Sequence, residues 1–66
     1  MEFQIEFEQE DDGRWIAEIV SLPGVMVYGV SKSEAESKVE AMALRVLADR
    51  MERENTTMKR VQFAVA

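Results

Sequence analysis

Asp12-Gly13-Arg14-Trp15-Ile16-Ala17-Glu18-Ile19-Val20-Ser21-Leu22-Pro23-Gly24 decides the fold: a reversal, a strand and a second reversal in thirteen residues. Asp-Gly between alternating runs predicts a hairpin with a type I′ turn, because glycine supplies positive φ there. In the strand that follows, Trp15, Ala17 and Ile19 share one face, while Ile16, Glu18 and Val20 share the other. That second face is less polar than a solvated one should be. Pro23 presets φ near −65° and Gly24 takes positive φ, which suits the two central positions of a type II turn.

Upstream, Met1 to Glu8 alternates without a fault. Period two predicts a half-buried strand with Phe3, Ile5 and Phe7 inward and Glu2, Gln4, Glu6 and Glu8 on an acidic outer face. Downstream, Val25-Met26-Val27-Tyr28-Gly29-Val30 reads as a third strand. It is apolar on both faces, so alternation does not orient it, and such a strand is expected to be central or covered on both sides.

Ser31-Lys32-Ser33-Glu34 is a capping box, in which the Ser31 hydroxyl accepts from the Glu34 amide and the Glu34 carboxylate reaches back. The helix it opens runs to about Glu54. At 100° per residue its core stripe is Ala35, Val39, Met42, Ala43, Val46 and Leu47. Leu44, Ala48 and Met51, with Ala41 beside them, form a second strip, either the margin of a wide core face or a surface for self-association. Asn55-Thr56-Thr57 ends the helix, since asparagine tolerates a left-handed cap. Met58 to Ala66 alternates again, with Val61, Phe63 and Val65 expected inward.

The order is therefore β-β-β-α-β, an α+β fold in one domain spanning residues 1–66. Two tight reversals make the first three strands antiparallel. A right-handed crossover through the helix sets the last strand parallel to the first. The expected sheet is mixed, of order 3-2-1-4, with the helix on one face. The other face, bearing Ile16, Val20 and half of the third strand, has no cover within one copy.

A chain of 66 residues has a core worth no more than about 3–5 kcal/mol, and domains this small usually add a staple. With no cysteine and no histidine, a disulfide is excluded and the usual zinc ligands are missing. The remaining staple is oligomerisation or a partner. The formal charge of −5 disfavours contact with a nucleic-acid backbone and suits a basic protein. Histidine acid–base chemistry and cysteine nucleophiles are absent, which favours binding over catalysis, with no cofactor. No apolar run approaches the ~20 residues of a membrane span, and the charged start does not read as a signal peptide. The expected location is the cytoplasm.

Asp12-Gly13-Arg14-Trp15-Ile16-Ala17-Glu18-Ile19, then Leu22-Pro23-Gly24, then Gly29, then Ser31 with Glu34-Ala35, resembles the HicB-like antitoxin family. That resemblance covers about residues 1 to 65. It implies the same β-β-β-α-β order, described for that family as a partial ribonuclease-H-like domain. It also implies a role, which is to bind a small basic HicA-like toxin that cleaves messenger RNA and to mask its active site. Many family members carry a further DNA-binding domain; this chain ends with its fourth strand, so operator binding is not expected of it. Leu22, Pro23, Gly24, Gly29, Ser31, Glu34 and Ala35 carry the match, and each has a sufficient structural reason in turn geometry, close approach, capping or packing.

Glu8, Glu10, Asp11, Asp12 and Glu18 invite comparison with nuclease carboxylates, but most cluster in and beside a hairpin, where acids serve solvation and turn formation. No residue is assigned a catalytic role. Trp15 shares parity with core residues, so packing is a better reading than base stacking for it; Tyr28 is the other aromatic of that kind. Arg60 is expected to make a cross-strand ion pair with the glutamate face. The residues expected to meet a basic partner are Glu2, Glu6, Glu8, Glu10, Asp11 and Asp12. A homodimer or larger assembly is expected through Ile16, Val20, Leu44, Ala48 and Met51. The competing reading is a self-assembling structural or adaptor domain without antitoxin activity.

Overall fold

A computed structural model describes residues 1–66. Four strands, β1 (Glu2–Gln9), β2 (Trp15–Glu18), β3 (Met26–Gly29) and β4 (Gln62–Val65), and one helix, α1 (Lys32–Glu54), follow in the order β-β-β-α-β. The sheet order is β3-β2-β1-β4. β1 pairs antiparallel with β2 and parallel with β4, and β2 pairs antiparallel with β3.

The first hairpin closes differently from the expected type I′ turn. The Gly13 N–H donates to the Glu10 carbonyl at 2.9 Å and the Glu10 N–H donates to the Arg14 carbonyl at 2.7 Å. Only Gly13 takes positive φ there, at 91°. Asp11-Asp12-Gly13 is thus a three-residue loop, a one-turn reversal followed by a left-handed glycine bulge. Parity explains the change. A two-residue loop at Asp12-Gly13 would set Phe7 opposite Glu18 and force a charge into the core. The three-residue loop sets Phe7 opposite Ala17 and Glu6 opposite Glu18. At the second reversal the Val25 N–H donates to the Leu22 carbonyl at 3.0 Å with Gly24 at φ 86°, as the type II reading requires.

Gly29 and α1 settle which way β3 faces. A Cβ on Gly29 would lie 2.6 Å from the Ala35 nitrogen and 2.9 Å from its Cα, so the helix start rests directly on this backbone. Val25 and Gly29 are buried toward the helix, whereas Met26 and Tyr28 are exposed on the opposite face. β3 is an edge strand covered on one side only, not a central one. Its double-sided apolarity serves the helix on one face and leaves Met26 and Tyr28 uncovered on the other.

Ser31 caps α1 by accepting from the Glu34 N–H at 3.1 Å, and the Glu34 carboxylate accepts from the Val30 N–H at 3.1 Å. Asn55 ends the helix in the left-handed region, at φ 51°. Ala35, Val39, Ala43 and Leu47 are buried against Phe3, Ile5, Ala17, Ile19, Leu22 and Val25, with Met42 and Val46 packed at the margin. No polar side chain is buried. The helix lies mainly over β3 and β2 and reaches β1 only at its edge. That placement corrects one expectation. Val65 pairs in register with Ile5 and so lies on the helix side, yet it is 54% exposed because the helix stops short of β4.

Candidate functional site

The face of the sheet turned away from α1 is where the acidic residues gather. On a strand, alternate side chains stand about 7 Å apart on one face. Glu2, Glu6 and Glu8 therefore form a row along β1, with Gln4 among them, and all four are exposed. Glu10 and Asp11 continue it toward the hairpin tip. β2 adds Glu18 directly opposite Glu6, two like charges across a strand pair. Such a pair is destabilising.

The structure's ion pairs leave this row without a counter-charge. They join Arg14 to Asp12, Lys38 to Glu34 and Arg53 to Asp49. Arg60 makes none, contrary to the expected cross-strand pair; it precedes β4, and its carbonyl accepts from the amino terminus at 2.7 Å. Asp12 differs from the other five predicted partner residues because it is already engaged. Its carboxylate accepts from the Arg14 N–H at 3.0 Å and from Arg14 Nε at 2.8 Å. The Arg14 backbone N–H, then the Arg14 side chain, holds the Asp12 carboxyl below its ordinary value.

Beside the acids lies an apolar strip. Ile16 pairs in register with Tyr28, and Glu18 with Met26. The Arg14 guanidinium lies 4.8 Å from the Tyr28 ring centroid, which occupies one ring face. Trp15 is on the helix side, half-buried beside Phe7, where the Lys32 ammonium stands 4.9 Å from the Phe7 ring and 5.8 Å from the Trp15 ring. It closes the hairpin end of the core, as the packing reading expects. The surface has one depression, about 390 Å³, lined by Glu2, Gln4, Glu6, Val20 and Ser21 at the end of the acidic row.

The five residues expected at a self-association surface are not brought together. Ile16 and Val20 belong to the open side of the sheet, whereas Leu44, Ala48 and Met51 lie on the helix that covers the other side. Glu18 and Met26 join this face although neither is among the residues expected to meet a partner. Parity alone would have found Glu18, since Phe7 opposite Ala17 requires Glu6 opposite Glu18. No group of three or more carboxylates is placed to hold a metal ion, and no helix is long and apolar enough to cross a membrane. Comparison with protein-family models, with curated proteins and with solved structures found no match to this chain.

Proposed function

We propose that the chain is an antitoxin-type binding module. Its open sheet face would dock on the basic surface of a small RNA-cleaving, HicA-like toxin in the cytoplasm and mask it. The observation that carries the reading is the uncompensated row of Glu2, Glu6 and Glu8, with Glu18 set against Glu6. A basic partner would relieve that repulsion and be steered by its field, while Ile16, Met26 and Tyr28 supply apolar contact beside it. The resemblance of about residues 1 to 65 to HicB-like antitoxins, carried by motif residues between Asp12 and Ala35, supports the same reading. In it the chain is not an enzyme, needs no cofactor and does not contact operator DNA.

The test uses a basic protein that co-purifies with the chain from its native cell. Reversing charge at Glu2 and Glu8 together should slow association by about tenfold or more at low salt and flatten its salt dependence. An on-rate indifferent to both would remove the acidic face from the reading. The alternative, a self-assembling structural or adaptor domain, is favoured by Leu44, which stays 50% exposed on the helix surface. Failure of any basic partner to co-purify would favour it.

A further inference from the structure

The open face of the sheet is organised in rungs, and one of them lacks a part that its neighbour has. Toward the hairpin, Glu8, Ile16 and Tyr28 lie in register across β1, β2 and β3; the next rung is Glu6, Glu18 and Met26. The first rung is completed from within the chain. The Arg14 guanidinium lies 4.8 Å from the Tyr28 ring centroid, and Arg14 Nε donates to the Asp12 carboxylate at 2.8 Å. An arginine is thus already seated on this face, over an aromatic ring and against a carboxylate.

The second rung offers the same kinds of partner and no cation. Glu6 and Glu18 are exposed and make no ion pair, and Met26 beside them is 46% exposed. None of the four strands carries a lysine or arginine, and Arg14 is committed to Asp12. Opposed residues on an antiparallel pair have Cβ atoms about 5 Å apart, which brings both carboxylates within reach of one group between them. A depression lined by Glu2, Gln4, Glu6, Val20 and Ser21 opens beside the pair and leaves room for an incoming chain.

We propose that Glu6 and Glu18 hold one arginine side chain of the basic partner, its aliphatic stem lying along Met26. Charge and shape select this occupant. A guanidinium presents its N–H donors in a fixed plane, so its edges serve both carboxylates at once, and its charge relieves their repulsion. Lysine brings a compact, strongly hydrated charge without that geometry. A calcium or magnesium ion would need about six oxygen ligands or more, and no group of three or more carboxylates is placed to hold one. The stem of an arginine covers apolar surface while its head stays with charge, which matches methionine next to glutamate in one rung. The inference rests on the reading of this face as a site for a basic partner and names the side chain that partner must present.

The probes are two short capped peptides, alike except for arginine or lysine at the centre, titrated into the whole chain and followed by amide NMR shifts. The arginine peptide should bind about fivefold or more tighter than the lysine peptide, with the largest shifts at Glu6, Glu18 and Met26. Glu18→Gln should remove that preference. Glu2→Gln should leave it intact, because Glu2 lies opposite Gln62 rather than another acid. Both positions are exposed, so the circular-dichroism spectrum should not change.

Equal binding of the two peptides overturns the proposal. So does a preference that survives Glu18→Gln, or shifts spread evenly along Glu2, Glu8 and Glu10. Failure of the antitoxin reading looks different: the arginine preference persists while no basic protein co-purifies with the chain. A basic protein captured by a chain without that preference keeps the antitoxin reading and removes the arginine seat.

Discussion

The two faces of the sheet use the same strands to opposite ends. Toward the helix, Phe3, Ile5, Ala17, Ile19 and Val25 are buried with no polar side chain among them. Away from it, Glu6 meets Glu18 without a counter-charge, and Met26 and Tyr28 are exposed. Stability in so small a domain comes from one face. The other face adds no buried side chain, and its charges and exposed apolar groups are not needed to close the core. Substitutions on the first face should unfold the protein; those on the second should change its associations.

Gly29→Ala tests the first face most sharply. The added methyl would sit 2.6 Å from the Ala35 nitrogen, and neither that backbone nor the helix start can yield without losing contact with β3. Overpacking of this kind costs about 1–3 kcal/mol, a large part of the ~3–5 kcal/mol such a core supplies. The urea midpoint should fall markedly. Gln4→Ala, on the open face, should move it by less than about 0.5 kcal/mol. Equal losses at the two sites would break the comparison.

Much of this contrast was legible before any coordinates, and the exceptions have identifiable causes. Alternation in β1 placed Phe3, Ile5 and Phe7 because a strand's period of two is rigid. The capping box and Asn55 bounded the helix because their chemistry is local. The hairpin turn was misread because Asp-Gly fits more than one loop, and only the parity of both strands together selects among them. Which way β3 faces was obscured because its two apolar faces look the same in sequence, although one packs on Ala35 and the other is bare. How far the helix reaches across the sheet is a property of packing, so the exposure of Val65 had no local signal. The acidic residues were all visible, but their opposition at Glu6 and Glu18 depended on the loop length.

A smaller effect concerns the start of the helix. The Val30 N–H first, then Lys38, holds the Glu34 carboxyl below its ordinary value of 4.5. A carboxyl lowered in the folded state contributes stability that is complete above that ordinary value and disappears as pH falls through the folded value. Acid titration of the urea midpoint should therefore show a loss beginning near pH 4.5 that Glu34→Gln reduces. Asp12, lowered chiefly by the Arg14 N–H, adds a similar loss starting from 3.8. An acid limb unchanged by Glu34→Gln would mean that the contact with Val30 does not discriminate between the charged and neutral carboxyl.

The smallest effect has the most informative sign. Glu6→Gln keeps the length and shape of the side chain and removes one of two like charges facing each other across β1 and β2. Cross-strand pairs of this kind are worth about 0.2–1 kcal/mol, and like charges count against the fold. The substitution should therefore raise the urea midpoint, most at about 10 mM salt and least at about 0.5 M, where the Debye length drops to a few ångströms. The same substitution should slow capture of a basic partner, because it weakens the field that steers it. Opposite signs for stability and association at one atom-for-atom replacement would mark the open face as shaped for binding rather than for folding. A midpoint that stays level or falls would show that Glu6 and Glu18 lie too far apart, or too well hydrated, to repel. The acidic row would then be an ordinary solvated surface, and recognition would have to be sought along the helix.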